Sequence, residues 1–327
     1  MVGGDWSRAF RQDGRLKPGT PGMTARSLRL RAVVAAAAVL AAWTPMAFAA
    51  AVSETETGRD EPAASSSSSA DPARSGPMSV VVGVDPDRLT CFMGGSVGGV
   101  VLTAEALAAR LRDGQPYRLF DLSGAHGETL SIGRPRSEGG EGECVDLWRQ
   151  DLALDPRESG SRQAALHLPP GVPDPLPGQL EVMDRPLGQH VELMREFLAR
   201  RGIADPEPGI VQSIRADLDG DGAIDHILNL VRVGPDHARA GDHSIIVMVR
   251  GEGPAQRTFI IQEEVDVSDS AYSSTLWVNT IVALVDINGD GTAEIITEGG
   301  YLYGGGWEVI GWDGNGFEHI LFCGCDG

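Results

Sequence analysis

From Ile210 onward, apolar and polar residues alternate with a period of two, the signature of half-buried strands. The alternation predicts eight strands, over 210–216, 224–233, 244–250, 258–265, 276–285, 294–302, 307–312 and 317–322. Asp313-Gly314-Asn315-Gly316 joins the last two and is a strong hairpin signal. This half therefore reads as an antiparallel β-meander. Before it the pattern is mixed. Residues 79–84 form a short β-rich run, and residues 103–112 predict a helix with Thr103 as N-cap, Leu107 and Leu111 on one face, and Gly114 as its stop. Its third helical position is Ala106, so the reciprocal carboxylate of a capping box is missing. A second helix is predicted from Leu187 to Arg201, where Leu187, Val191, Met194 and Leu198 recur at helical spacing and Gly202 ends the run. The Gly/Pro-rich stretches 133–142 and 169–177 read as loops between short strands. The fold class is α+β, with a mixed half over residues 78–208 and a β-rich half over residues 209–327.

The first 77 residues have a different character. Arg26, Arg29 and Arg31 precede an apolar run from Ala32 to Trp43, Pro45 breaks it, and Ala47-Phe48-Ala49 supplies the small residues of a cleavage site. Residues 1–49 are read as a secretory signal peptide, with Met23 as an alternative start. A membrane anchor is the competing reading, but the run is mostly alanine and interrupted by proline. Residues 50–77 are mostly Ser, Ala, Glu, Asp and Pro, including Ser65 to Ser69. Such a segment cannot bury enough apolar surface to offset its conformational entropy, and is read as a disordered linker.

Charge narrows the partners. The chain has 27 basic and 46 acidic residues, a net charge of −19, and losing residues 1–49 makes it −24. A surface this acidic attracts cations and does not suit nucleic acid or an anionic membrane face. Lys17 is the only lysine, which excludes lysine-based chemistry downstream of it. The expected location is secreted or periplasmic, with no stable membrane insertion once the signal is cleaved. Four cysteines, Cys91, Cys144, Cys323 and Cys325, would then meet an oxidising compartment and form two disulfides. A Cys323–Cys325 bond would close a small, strained ring, so each tail cysteine is expected to reach one of Cys91 and Cys144.

The candidate chemistry lies in two acidic loops. In the first, Asp217, Asp219, Asp221 and Asp225 stand at positions 1, 3, 5 and 9, with Gly222 at position 6 and the carbonyl of Ala223 available at position 7. Ca²⁺ takes six to eight oxygens at about 2.3–2.6 Å, and alternate residues of a tight loop can turn theirs inward together. Without a cation, four such carboxylates repel one another. The second loop offers Asp286, Asn288, Asp290, the carbonyl of Thr292, and Glu294, at an offset of 69 residues. Having four carboxylates against three, the first loop is expected to bind Ca²⁺ more tightly. An EF-hand is excluded, because its bidentate glutamate would fall at Leu228 and Thr297 and a strand pattern follows each loop.

The pattern D-x-D-G-D-G-x-x-D followed by a strand resembles the calcium loops of FG-GAP/VCBS repeats, the integrin-α-type propeller repeats. The wider layout, with the glycine-rich run near residue 95, Cys144, the helix before Gly202-Ile203 and Gly324-Cys325, is similar to secreted bacterial proteins that carry this repeat. The resemblance covers residues 210–327 and implies propeller-blade-like repeats holding Ca²⁺. Two acidic loops are too few for a closed propeller, which needs at least four blades. Two blade-like meanders packed on the first half are expected instead.

The favoured function is a non-catalytic binding or surface-interaction module with an unknown protein or glycan ligand. The competing class is an extracellular hydrolase with structural calcium. Its chemistry would fall to Ser96 or to an acidic cluster; Gly94-Gly95-Ser96-Val97-Gly98 matches the G-x-S-x-G nucleophile elbow. That elbow needs a helix directly after the serine, whereas Gly99 to Leu102 intervenes before one, so the run is read as a turn. The histidines are scattered, and His226 beside the first loop is read as a strand residue. Tyr301, Tyr303 and Trp307 could form an aromatic sugar shelf, although strand residues flanking a hairpin are the simpler reading.

Overall fold

The computed structural model describes residues 76–138, 147–155, 160–172, 174–234, 239–266, 276–301 and 304–325. The expected signal peptide, nearly all of the expected linker, Cys144 and Tyr303 lie outside them.

The described chain is mostly β, with two helices and three antiparallel sheets. The first sheet orders its strands β3-β2-β1-β7-β4-β5-β6. These are β1 (Met78–Val84), β2 (Thr90–Val97), β3 (Val100–Thr103), β4 (Pro116–Asp121), β5 (Gly124–Ser137), β6 (Trp148–Leu152) and β7 (Gln163–His167). The sheet curls until β6 returns to β2, where Arg149 Nη1 donates to the Thr90 carbonyl at 2.8 Å. Val80, Val82 and Val84 point to one side, with Leu107 and Leu111, while Val81 points to the other. That alternation is the pleat of β1 read directly from a run of valines.

The predicted helix at 103–112 is shorter than its pattern. α1 covers Ala104–Ala108 and its N-cap, Thr103, makes no side-chain capping bond. The chain then tightens, with Arg110 N donating to Leu107 O and Leu111 N to Ala108 O, both three-residue steps. α2 (Gly188–Arg200) matches its pattern closely. Gly202, at φ 86°, donates to Ala199 O, and Ile203 N donates to Leu198 O. That bond pair is a Schellman stop, and the Ile203 and Leu198 side chains join the same core cluster.

The eight strands predicted after Ile210 are all present, with ends shifted by up to three residues. The second sheet is β12-β11-β10-β9-β8, built from β8 (Gly178–Val182), β9 (Ile210–Asp217), β10 (Asp225–Arg232), β11 (His243–Arg250) and β12 (Arg257–Val265). The third is β13-β14-β15-β16, built from β13 (Val278–Val285), β14 (Glu294–Gly300), β15 (Gly305–Trp312) and β16 (Phe317–Cys325). Strands β9–β12 and β13–β16 are thus two four-stranded meanders, each with an acidic loop between its first two strands. The expected division near residue 208 is crossed. β8 pairs with β9, and α2 lays Met194, Phe197 and Leu198 on Leu228, Leu230, Val247 and Val249 of the second sheet.

The sheets stack face to face. Ile214, Ile227 and Met248 of the second sheet meet Ile281, Leu284 and Ile295 of the third. The other side of the third sheet, with Val282, Val285 and Trp307, meets Val81, Phe120 and Leu166 of the first. Being covered on both faces, β13 reads as the unbroken run Ile281 to Val285. Gly83 is required at the contact between first and third sheets, since a Cβ there would lie 2.2 Å from the Trp307 ring. A disulfide joins Cys91 of β2 to Cys323 of β16 across 232 residues, with Cα atoms 5.8 Å apart. This decides between the pairings left open for Cys323, and no described cysteine is free.

Candidate metal centre

Each acidic loop starts at a strand end and turns back through two left-handed glycines, Gly220 (φ 69°) and Gly222 (φ 85°) in one, Gly289 (φ 80°) and Gly291 (φ 92°) in the other. A β-carbon at these positions would be strained, which accounts for glycine at both. The hydrogen bonds also repeat. Gly222 N donates to Asp217 Oδ2 at 3.1 Å, and Gly291 N to Asp286 Oδ2 at 2.9 Å. Ala223 N donates to Asp221 Oδ1 at 2.7 Å, and Thr292 N to Asp290 Oδ1 at 2.8 Å. Asp290 N donates to Asn288 Oδ1 at 2.8 Å, while the equivalent bond from Asp221 N to Asp219 Oδ1 is longer, at 3.4 Å.

In the first loop, Asp217, Asp219 and Asp221 each present a carboxylate oxygen within 4.8 Å of the others. Asp217 Oδ1 is shielded from solvent and accepts no hydrogen bond. A buried carboxylate oxygen left unsatisfied is costly, and the trio is placed so that it could hold a metal ion. Hard oxygen donors of this kind fit Ca²⁺ or a similar cation. Asp225 stands apart. It is wholly buried, and Arg250 of β11 binds both its oxygens, Nε to Oδ1 at 2.8 Å and Nη2 to Oδ2 at 3.0 Å. The same Nη2 donates to Asp219 Oδ2 at 2.7 Å. These bonds, those to Asp225 foremost, hold the Arg250 proton more tightly than usual. Sequence reasoning missed Arg250 because it lies 25 residues from Asp225, although the strand register sets the two directly opposite each other.

The second loop is arranged differently. Among the described residues, Asp286, Asp290 and Glu294 do not converge as the first trio does. Glu294 is 3% exposed and turned inward, where Oε2 accepts from Ile287 N at 2.7 Å and Oε1 from Asn288 Nδ2 at 2.9 Å. Burial pushes its carboxyl up to about 8; the Ile287 N–H works against that shift, and the charges of Asp286 and Asp290 add to it. Asn288 Nδ2 also donates to Asp290 Oδ2 at 3.0 Å, so the amide lies among the loop's carboxylates. The loop is braced from the first sheet, because Ser79 and Ser96 both donate to the Ile287 carbonyl, and from the chain before β8, where Asp286 N donates to Pro175 O.

The remaining candidates are resolved by burial. Ser96 sits inside β2 at 3% exposure and is followed by β3 before any helix, so the G-x-S-x-G match is strand and not nucleophile elbow. The run is therefore not the turn expected up to Val97; the turn begins at Gly98, with φ 58°. Trp307 is 4% exposed against Gly83 and cannot belong to a sugar shelf. His226 is a strand residue, as expected, and its ring meets that of His190 edge-on at 4.5 Å. Comparison with known proteins brings no match to this chain, whether to a family model, a curated protein or a solved structure.

Proposed function

We propose that this chain is a Ca²⁺-binding, non-catalytic module of FG-GAP/VCBS type that works outside the cytosol, its two meanders corresponding to blade-like repeats. The observation that carries the reading is the convergence of Asp217, Asp219 and Asp221 around a shielded Asp217 oxygen without a partner. Asp225 contributes through Arg250 in this reading, and Ala223 offers its carbonyl. Asp286, Asn288, Asp290, Thr292 and Glu294 would hold a second ion once Glu294 gives up its proton. The ion supplies rigidity to the loops, and an unidentified protein or glycan is the ligand of the surface they support.

Location outside the cytosol is supported by the leader pattern of residues 1–49 and by the Cys91–Cys323 disulfide. Among the described residues no helix is long and apolar enough to cross a membrane. The hydrolase reading loses its serine candidate, since Ser96 is buried and committed to the Ile287 carbonyl. Calorimetric titration of the whole chain with Ca²⁺ tests the proposal. Heat from up to two sites, lost in Asp217→Asn combined with Asp286→Asn, is the expected result. A flat titration overturns it.

A further inference from the structure

In a chain of net charge −19, a cleft on the first sheet carries three arginines and a single carboxylate among its described lining residues. Its volume is about 670 Å³, within the span of about 300–1,000 Å³ usual for small-molecule sites. Arg110 and Arg112 stand on the turn between α1 and β4, and Arg118 lies on β4. The carboxylate is Glu128, opposite Arg118 in the β4–β5 register. Ser131, which is buried in β5, holds the turn. Its Oγ donates to Arg112 O at 3.0 Å and accepts from Gln115 N at 2.9 Å, and its carbonyl accepts from Gly114 N at 3.0 Å. Gln115 accepts from Arg112 N on Oε1 at 2.8 Å. His167 Nδ1 donates to the Pro116 carbonyl at 2.8 Å, which leaves its Nε2 to accept from Gln115 Nε2 at 3.4 Å. The basic wall is thus fixed before any ligand arrives.

Residues 168–172 supply an apolar part of the lining, with Leu168, two prolines and Val172. This segment is a tight turn: Val172 N donates to Pro169 O at 3.2 Å, and Gly171 has φ 82°, the positive value that a type II turn takes after a proline. Pro169 and Pro170 have no N–H, and that of Val172 is spent on the turn, so this side offers few donors. Such a lining suits a ligand with one charged end and one apolar end. A guanidinium fork matches the edge of a carboxylate, whereas a phosphate carries acceptors on every side and would leave some against the prolines. Arg118 is oriented over the Phe120 ring at 5.0 Å and reaches Asp174 Oδ2 at 3.8 Å, a loose and exposed pair. Asp113, on the arginine turn, is engaged by Gly133 N at 2.7 Å. Three arginines against Glu128 and Asp174 leave a net positive charge that suits a monoanion. We propose that the cleft binds a small organic monocarboxylate, with Arg118, Arg110 and Arg112 on the carboxylate and residues 168–172 against the apolar body. This site is independent of the calcium reading, since none of the candidate cation ligands is among its described lining residues.

Calorimetric titration of the whole chain with phenylacetate, phenylacetamide and inorganic phosphate tests this. Phenylacetate should bind once per chain with a Kd of about 1 mM or below. The amide, of the same shape without the charge, and phosphate, without the apolar body, should each bind at least about ten-fold more weakly. Arg118→Gln should weaken phenylacetate about ten-fold, the worth of a charge-assisted hydrogen bond. Val172→Glu places a like charge in the apolar wall and should weaken it by a similar factor. Arg195→Gln, on the exposed face of α2, should leave the affinity unchanged. Urea unfolding identifies a variant that fails to fold, and Val172→Glu, in an exposed turn, then carries the location alone. Absence of phenylacetate binding overturns the proposal, as does equal binding of the amide or of phosphate. Undiminished binding by a folded Arg118→Gln or Val172→Glu overturns it too.

Discussion

Arg250 grips both carboxylate oxygens of Asp225, at 2.8 and 3.0 Å, at the point where the first acidic loop enters β10. Asp225 is fully buried while a quarter of the Arg250 side chain is exposed. Removing the arginine strands a buried charge, which is far worse than never having had the pair. Arg250→Met should therefore cost about 2–3 kcal/mol in urea unfolding with chelator present, somewhat less than a fully buried pair. Millimolar Ca²⁺ should recover part of that loss, since an ion on Asp217, Asp219 and Asp221 offers the neighbouring carboxylate a second source of positive charge. A loss that Ca²⁺ leaves unchanged would separate Asp225 from the cation site.

Chelation should lower the melting temperature. Extracellular calcium sites have Kd values of about 10⁻⁴–10⁻³ M, and ~1 mM Ca²⁺ over a Kd of ~0.1 mM stabilises by roughly 1.4 kcal/mol per site. The expected drop is several degrees, and Asp217→Ala should abolish about half of it. A melting curve indifferent to chelator and calcium would count against both loops.

Stability should fall in mild acid through His190. Burial draws its imidazole down to about 4, with the neighbouring His226 adding to the shift. His226 is lowered as well, by burial and by Arg215, against the pull of Asp225 and Glu252. A histidine whose folded pKa lies below its unfolded value stabilises fully above the unfolded value and loses that contribution as pH falls. The window here runs from about 6.5 down to about 4, and the loss reaches up to ~3 kcal/mol. Urea midpoints measured across that range should show it, and His190→Phe should flatten the slope.

Ser96→Ala should cost about 1 kcal/mol, the worth of one buried hydrogen bond to the Ile287 carbonyl. It should leave any esterase, peptidase or glycosidase signal untouched. Loss of such a signal would return Ser96 to a catalytic role.

Breaking the Cys91–Cys323 bond by Cys91→Ala with Cys323→Ala should cost roughly 2–5 kcal/mol, measured under non-reducing conditions. An unchanged unfolding midpoint would mean that the 232-residue ring closes on an unfolded state already held compact.

The β-rich half was legible because its strands obey a simple alternation and its turns carry Asp and Gly. The acidic loops were legible for the same reason, since carboxylates at every second position leave a strong trace. The first half hid its strands. In β5, Thr129 and Ser131 face inward while Leu130 and Ile132 are 51% and 55% exposed, which inverts the expected pattern. The glycines of β2 resembled a catalytic turn but answer to close packing. A Cβ on Gly95 would lie 2.1 Å from the Ser79 carbonyl oxygen, and one on Gly94 would lie 2.4 Å from that of Leu102. Arg250 left no local trace at all, because its meaning comes from the strand register that sets it beside Asp225.

The placement of β16 also bears on how the molecule is made. Val81, Phe120 and Leu166 are covered by residues such as Val309 and Leu321, which follow them in the chain by well over a hundred positions. During vectorial synthesis the first sheet therefore waits, with an apolar face open, until its cover arrives. Contacts so distant in sequence slow folding and leave the waiting sheet prone to self-association. Efficient maturation then depends on keeping the nascent chain extended and shielded until β16 has emerged.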